Sequence, residues 1–328
     1  MKRYQIAGIG NAIADVIASV DDSFLDAHAI AKGGMTLIEE DRAIALHAAM
    51  PAATEAPGGS VANSIAGLGA LGLRAAFIGR VRDDAPGRAY VAAMSDEGIT
   101  VANAPVAGAD LPTSRCLIVV SPDGERSMST FLGISSLLGP DDVSEDLCAQ
   151  TELLLLEGYL FDRDPGKQAF LKAARATRAA GGRAGLSLSD AFCVNRHRDD
   201  FAALVRELDF VIGNESEWCA LAQLDDVEAA VAEAATRCPL VVCTLGARGV
   251  IIRAGEQVVR VAVTPVDPVD TTGAGDQFAA GFLFGLATGR DLETAGRMGC
   301  IAAGEVISHF GARPARPIAD LYREAGLI

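Results

Sequence analysis

Basic residues are scarce in this 328-residue sequence, which has 28 Lys and Arg against 43 Asp and Glu and a formal net charge of −15. A field of that sign opposes nonspecific binding to nucleic acid or to an anionic membrane. No apolar run is long enough to span a membrane, and the apolar stretch within the opening MKRYQIAGIG is too short for a signal peptide. The sequence therefore predicts a cytoplasmic protein with neither nucleic-acid nor membrane partners.

Paired cysteines and clustered histidines are also missing. The seven cysteines include no CxxC pair, and the four histidines show no HExxH spacing. An odd number of cysteines, most of them in apolar runs, indicates reduced and buried thiols. No zinc-binding motif is visible. The sequence has no GxxxxGK[ST] motif either, which excludes a P-loop.

Apolar strand-like runs alternate with Ala-rich helical stretches along most of the chain. Helical stretches at 165–181, 197–207, 225–237 and 277–289 lie between apolar runs such as TELLLLEGYLF and PLVVCTLG. Continuous apolar strands separated by helices predict an α/β fold whose parallel sheet is covered on both faces.

Four other segments alternate apolar and polar residues, which predicts strands with one wet face. They lie at 12–20, 34–39, 113–121 and 125–131. We expect them to form a small antiparallel sheet that covers a cleft as a lid. The prediction is one domain spanning 1–328, with the lid formed by about 12–40 and 108–133.

Two stretches match the dinucleotide-binding fingerprint only in part. In GIGNAI (8–13), Ile13 stands where a small residue is required, and GLGALG (67–72) lies late in a helical run instead of after a strand. These features argue against an NAD-dependent dehydrogenase.

Two polar motifs allow both a structural and a functional interpretation. In PGGSVAN, Gly58 and Gly59 suit a closely packed helix start or the approach of a polar ligand to the backbone, with Asn63 as donor and acceptor. In GNESEW, Asn214 and Glu217 suit a helix capping box, or the water shell of Mg²⁺ in a phosphate site.

The most specific motif is DTTGAGD (270–276), just before a long apolar helical run. A turn that opens a helix accounts for the glycines but not for Asp276. The amides of Gly273, Ala274 and Gly275 suit a transferring phosphoryl group, because a helix start attracts anions. Asp276 would orient an acceptor hydroxyl and collect its proton late in the transfer.

Together, in this order and spacing, the motifs resemble the ribokinase-like (PfkB) family of carbohydrate kinases over nearly the whole chain. GIGNAIADV, PGGSVANSI, ERSMSTFLG and VIGNESE are most similar to its adenosine kinase branch. The resemblance implies a three-layer α/β/α body with a β lid, ATP as phosphoryl donor and Mg²⁺ as a required ion. It implies transfer to the primary hydroxyl of a ribose-containing substrate, adenosine first, giving AMP.

The resemblance also implies roles by position, with Asp276 as base and Gly273, Ala274 and Gly275 as the anion hole. The implied substrate-binding residues are Asn11, Asp15, Gly58, Gly59, Asn63, Arg126, Met128, Leu132 and Tyr159. The implied ATP-binding residues are Asn214, Thr244, Gly246, Gly273 and Gly275; Asn214 and Glu217 would organise Mg²⁺ through water, and Asp270 is a candidate ligand of K⁺. Arg126 is either a lid arginine that closes over phosphates or a solvated hairpin charge.

Several alternatives stay open at this point. One alternative is a kinase of the same family that phosphorylates a free sugar, such as ribose or a fructose derivative. A non-catalytic sensor of nucleosides or sugars is a third hypothesis, against which the intact Asp276 argues, since a sensor needs no proton acceptor. The lid allows either a monomer or a homodimer that pairs through it.

Overall fold

The computed structural model describes residues 2–328, apart from the side chain of Asp162. Its strands are β1 (Tyr4–Ile9), β2 (Ile13–Ser19), β3 (Met35–Leu37), β4 (Thr54–Gly58), β5 (Ala75–Ile78), β6 (Thr100–Val101), β7 (Ser114–Val120), β8 (Arg126–Phe131), β9 (Thr151–Glu157), β10 (Arg183–Ser187), β11 (Phe210–Asn214), β12 (Leu240–Thr244), β13 (Val250–Ala254) and β14 (Gln257–Val261).

The helices are α1 (Asp22–Ala27), α2 (Glu40–Ala49), α3 (Ser60–Ala70), α4 (Ala85–Asp96), α5 (Glu145–Ala149), α6 (Asp164–Ala179), α7 (Ala191–Arg196), α8 (Arg198–Val205), α9 (Glu215–Ala222), α10 (Val227–Ala234), α11 (Ala274–Ala287), α12 (Leu292–Val306) and α13 (Ile318–Glu324). Short 3₁₀ turns lie at Gly133–Leu137, Pro140–Asp142, Gly158–Asp162 and Gly246–Arg248.

The main body is a nine-stranded sheet in the order β14-β13-β12-β11-β10-β9-β1-β5-β6. From β12 to β6 its strands are parallel, and β13 and β14 extend it as an antiparallel hairpin. Successive leucines of β9 point to opposite faces: Leu154 and Leu156 join one buried cluster, Leu153 and Leu155 the other. Helices α5 to α10 cover the first face, and α3, α4 and α11 to α13 cover the second. The predicted three-layer fold with a mostly parallel sheet is confirmed.

The strand order reverses beside β1, and such a reversal indicates where a ligand site lies. After β1 the chain builds β5 and β6 on one side, and it returns to build β9 to β12 on the other. In open α/β sheets, ligands bind outside the carboxyl ends of the strands at such a reversal.

A second, five-stranded sheet has the order β3-β8-β7-β2-β4. The expectation that it is antiparallel throughout was wrong, because β2 pairs with β7 and β3 with β8 in parallel. Strands β2 and β7 each follow a strand of the main sheet, so both leave the body at its carboxyl edge and run outward together. The sheet also takes in β4, which lies outside the predicted bounds. We call this sheet the lid sheet; a homodimer formed through it stays a prediction.

Three exclusions can be compared with the structure. Residues 8–13 pass from β1 into β2 with no helix between them, and 67–72 lie at the end of α3, so neither is a dinucleotide fingerprint. Five of the seven cysteines are buried, as their apolar surroundings in the sequence predict. Among the described helices, none has the length and apolar character needed to cross a membrane.

Candidate active site

The carboxylate of Asp276, in the first turn of α11, faces the start of α3. Oδ1 accepts a hydrogen bond from Ser60 Oγ (2.6 Å) and Oδ2 accepts one from Asn63 Nδ2 (3.1 Å). The hydroxyl of Ser64 donates to the Asp276 carbonyl at 2.9 Å, which fastens the two helix starts together. Burial raises the pKa of Asp276 to about 6, although the bonds from Ser60 and Asn63 oppose the rise.

The turn before Asp276 presents backbone amides. Gly273 is the N-terminal cap of α11 with φ +77° and has no side chain to satisfy the first amides of the helix. A Cβ there would meet Ala312 at 2.7 Å, so only glycine fits both the dihedral angle and the space. The amide of Ala274, which the sequence places in the anion hole, donates to the carbonyl of Thr271 at 3.2 Å and is thus engaged within the turn. Within residues 2–328, the amides of Gly275 and Asp276 have no protein acceptor. They are therefore free to bind an anion.

The carboxylate of Asp15, on β2 of the lid sheet, lies against the backbone of Gly58. A Cβ at Gly58 would come within 2.3 Å of Asp15 Oδ2, so the glycine is required by close approach. Burial raises the pKa of Asp15 to about 7, the charges of Arg126 and Arg313 oppose this, and Asp276 adds to it. Gly58 is two residues before Ser60, which binds Asp276, so Asp15 and Asp276 contact neighbouring positions at the start of α3.

Asn11 and Glu157 meet at the carboxyl ends of β1 and β9, where the strand order reverses. Glu157 Oε1 accepts from both the amide (3.0 Å) and Nδ2 (2.7 Å) of Asn11, and Oε2 accepts from the amide of Val61 (2.9 Å). Ser135 Oγ donates to Asn11 Oδ1 at 2.8 Å, so this side chain is held from both ends. Burial raises the pKa of Glu157 to about 7.

Sequence reasoning missed Glu157, Ser60 and Arg313. Arg313 donates to Asn63 Oδ1 (3.4 Å) and to the Pro57 carbonyl (2.9 Å), and so holds the start of α3. Glu157 ends an apolar run and Arg313 lies in a polar tail, so neither stands in a motif. A charged residue at the carboxyl end of a predicted central strand is the signal that would have found Glu157.

Two of the residues assigned to ATP, Asn214 and Thr244, are register partners at the carboxyl ends of β11 and β12, whereas Gly273 and Gly275 lie at the start of α11. Asn214 and Glu217 form a complete capping box, which confirms the structural interpretation of that pair. Both carboxylate oxygens of Glu217 accept from Asn214, at 2.8 Å from its amide and 2.6 Å from Nδ2. Burial raises the pKa of Glu217 to about 7. Gly246 follows with φ +57° in an open turn.

The remaining assigned residues differ in how closely they join this region. Tyr159 packs against the core beside β9, and burial raises its pKa, with the charge of Asp190 adding to the rise. The Leu132 carbonyl accepts from Ser135 at 2.8 Å, which links it to Asn11. Met128 is half-buried in β8, with no described polar link to these residues. The roles of these residues stay predictions.

Arg126 and Asp270, to which the sequence analysis gave separate roles, contact each other. The guanidinium at the start of β8 donates to the Asp270 carboxylate, and both side chains are buried. The interpretation of Arg126 as a solvated hairpin charge was therefore wrong.

A family model for pfkB family carbohydrate kinases matches residues 30–319. The chain belongs to this family. The kinase is 27% identical over 291 residues to the 5-dehydro-2-deoxygluconokinase of Bacillus subtilis (strain 168), with 80% of this chain and 84% of that protein covered.

Two solved structures match the kinase along almost its whole length. One is described as a probable sugar kinase protein from Rhizobium etli CFN 42, with a TM-score of 0.92, 40% identity and 100% of both chains covered. The other is an adenosine kinase from Sinorhizobium meliloti, with a TM-score of 0.90, 43% identity and 98% of this chain and 99% of that chain covered. The kinase is thus a phosphotransferase with an alcohol group as acceptor, and its family implies ATP as donor.

Proposed function

We propose that this kinase transfers the γ-phosphoryl group of ATP to the primary hydroxyl of a ribose-containing substrate, adenosine first, giving AMP. The observation that carries the proposal is the start of α11. A carboxylate with a raised pKa lies there beside helix amides that have no acceptor in the described chain.

Asp276 is the residue that takes the proton. A pKa of about 6 leaves its carboxylate ionised at neutral pH but close to the range in which it exchanges a proton. Ser60 and Asn63 fix both of its oxygens, so the carboxylate is already oriented before a hydroxyl arrives. Because the transition state of phosphoryl transfer is loose, the proton leaves only late, when the alcohol has become a strong acid.

The amides of Gly275 and Asp276 stabilise charge on the transferring group. They point from the positive end of α11, where partial charge and donors coincide. Gly273 packs closely against Ala312, so the amides are already placed before charge develops on the phosphoryl oxygens.

Mg²⁺ would enter with ATP and neutralise charge on the phosphates. Direct coordination by Glu217 does not fit, because both of its carboxylate oxygens accept hydrogen bonds from Asn214. The described residues include no group of three or more His, Cys, Asp and Glu that could hold a metal. Asn214 and Glu217 fit an ion that keeps its water shell, which is the habit of Mg²⁺.

Ribose recognition is assigned to Asp15 on β2 and to Gly58, Gly59 and Asn63 at the end of β4 and the start of α3. A carboxylate accepts from both hydroxyls of a cis-diol at once, which suits Asp15 against the 2′ and 3′ positions. Adenosine is favoured over other ribosides by the 43% identity to the Sinorhizobium meliloti adenosine kinase. Asn11, Leu132 and Tyr159 would border the base, with Met128 on the lid side.

A free-sugar kinase is the second candidate, and a specific observation favours it. Curated relatives that cover about 80% of this chain act on 5-dehydro-2-deoxygluconate by name. A free sugar also presents a primary hydroxyl and neighbouring hydroxyls to the same carboxylates.

The test is ADP formation from ATP with adenosine, inosine, guanosine, ribose, fructose and 5-dehydro-2-deoxygluconate, each over a range of concentrations. We expect the highest kcat/KM with adenosine and AMP as the product. Turnover of a free sugar while all three nucleosides fail would replace the first candidate by the second.

A further inference from the structure

A buried ion pair joins the lid sheet to the turn that opens α11. Arg126 stands at the start of β8, and its Nη1 donates to Oδ2 of Asp270. The two side chains are only 6% and 5% exposed. Removing either partner would leave a buried charge without its countercharge, which is costly. The ion pair therefore holds the start of β8 against that turn.

The other donors to Asp270 belong to two segments of the main body. Oδ1 accepts from the amide (3.0 Å) and the hydroxyl (2.6 Å) of Thr272, and Oδ2 accepts from the amide of Gly311 (2.9 Å). Thr272 precedes Gly273, and Ala312 packs directly against that glycine. One carboxylate therefore holds both segments that shape the anion hole.

A second contact joins the lid sheet to the same region. A Cβ at Gly124, in the turn between β7 and β8, would lie 3.3 Å from Phe310 Cζ. The ring of Phe310 therefore rests on the tip of this hairpin, next to Gly311. The β7–β8 hairpin docks on this segment through one polar and one apolar contact.

A monovalent cation does not fit at Asp270 in this arrangement. Each carboxylate oxygen already accepts two hydrogen bonds, from Thr272 on one side and from Gly311 and Arg126 on the other. The guanidinium is itself a cation in contact with the carboxylate, and a second positive charge there would be repelled. The candidate K⁺ site of the sequence is thus filled by a side chain of the lid sheet.

We propose that Arg126 takes the place of a monovalent cation at Asp270, so that docking of the β7–β8 hairpin completes the anion hole and turnover is independent of K⁺. The inference rests on the proposed phosphoryl transfer for its kinetic readout. Arg126 and Asp270 are positioning residues here, because they act on the transferring group only through the turn that they hold.

The kinetic experiment compares wild type, Arg126→Met and the control Arg115→Met in choline chloride and in KCl, at an equal ionic strength of about 0.1 M. Arg115 lies on β7 of the same sheet, where it pairs with Phe131 at the other end of the hairpin from Arg126, and it contacts His47. We expect wild type and Arg115→Met to turn over equally in both salts. Arg126→Met should lose about tenfold or more in kcat and regain several-fold with KCl or guanidinium chloride.

A thermal-unfolding experiment gives a readout that needs no substrate. A cation that binds only the folded state raises Tm, so KCl should raise the Tm of Arg126→Met relative to choline chloride and leave wild type unchanged. If no acceptor is phosphorylated in the substrate panel, the proposed function fails, while this Tm difference still tests the inference. Arg126→Lys, which keeps the charge, provides a folded variant if Arg126→Met does not fold, and its Tm should be insensitive to K⁺.

Three results would overturn the inference. One is activation of the wild-type enzyme by K⁺, and another is full activity of Arg126→Met in choline chloride. The third is a decrease in the kcat of Arg126→Met that neither K⁺ nor guanidinium relieves, together with a Tm of this variant that does not respond to K⁺. That combination would mean that Arg126 binds the phosphates themselves.

Discussion

Asp270 and Asp276 stand at opposite ends of one turn, and their surroundings are opposite in character. Asp276 meets neutral donors from Ser60 and Asn63, and burial raises its pKa to about 6. Burial would also raise the pKa of Asp270, but hydrogen bonds from two amides, a hydroxyl and Arg126 outweigh that effect and lower it. The same residue type is thus prepared for proton exchange at one end and for permanent charge at the other.

The difference separates chemistry from scaffolding within a single motif. A proton acceptor needs a raised pKa, which burial provides by destabilising the anion. Neutral donors orient the carboxylate without the strong lowering of the pKa that a neighbouring cation would cause. An anchor must never lose its charge, because its partners include a buried guanidinium. The same substitution, Asp to Asn, should therefore have different consequences at the two ends.

The largest effect is expected at the acceptor end. Asp276→Asn keeps the shape of the side chain but cannot accept the proton, so kcat should fall by about a hundredfold or more. Substrate binding should be retained, which calorimetry with adenosine measures beside the kinetic assay. Undiminished turnover in this variant would remove Asp276 from its role.

The matched control is Asp291→Asn, at the cap of the next helix. Asp291 accepts from the amide of Thr294, and asparagine caps a helix as well as aspartate does. We expect this variant to keep wild-type turnover, since Asp291 lies beyond the carboxyl end of α11 and the anion hole lies at the start of that helix.

The next effect is on stability and concerns the anchor end. Asp270→Asn leaves the Arg126 guanidinium buried without its countercharge, which should cost about 3 kcal/mol or more of the free energy of unfolding. Urea unfolding at neutral pH measures this loss. Asp276→Asn should show no such loss, so equal destabilisation of the two variants would contradict the contrast between the ends.

A smaller loss of activity is expected when the turn between the two carboxylates is distorted. Gly273→Ala must adopt a positive φ and push against Ala312, which displaces the amides, so kcat should fall by about tenfold or more. Gly289→Ala is the control, because Gly289 also has a positive φ but open space around it. A control that loses as much turnover would mean that backbone strain alone explains the result.

The smallest effect is the pH dependence of stability. The folded-state pKa of Asp276 lies above its ordinary value of 3.8, so the folded chain binds this proton more tightly than the unfolded chain. Ionising Asp276 therefore lowers the free energy of unfolding as pH rises from about 4 to about 6. Asp276→Asn should raise Tm by a few degrees at about pH 7.5 and by almost nothing at about pH 4. A constant or reversed difference between the two pH values would contradict the raised pKa.

Local patterns were sufficient for much of the fold and of the motif geometry. Apolar runs and helical stretches located the central strands of the main sheet and several of its covering helices, and the GNESEW motif predicted the capping box. These features depend on neighbours within a few residues, which a sequence shows directly. The start of α11 at DTTGAGD belongs to the same class.

Contacts between distant segments could not be predicted in this way. Glu157 binds Asn11 across 146 positions, and Arg126 binds Asp270 across 144. Strand direction in the lid sheet depends on where β2 and β7 leave the body, which alternation of polar and apolar residues does not encode. The partners of these residues are decided by tertiary packing, so the sequence identified Arg126 and Asp270 without pairing them.

The most direct measurement is a crystal structure of the complex with adenosine and a non-hydrolysable ATP analogue. We predict that the primary hydroxyl lies within about 3 Å of an Asp276 carboxylate oxygen, with the γ-phosphate against the amides of the turn at 273–276. A complex in which Asp276 keeps both contacts to Ser60 and Asn63 while the hydroxyl lies elsewhere would contradict the account. So would side chains filling the space in front of those amides.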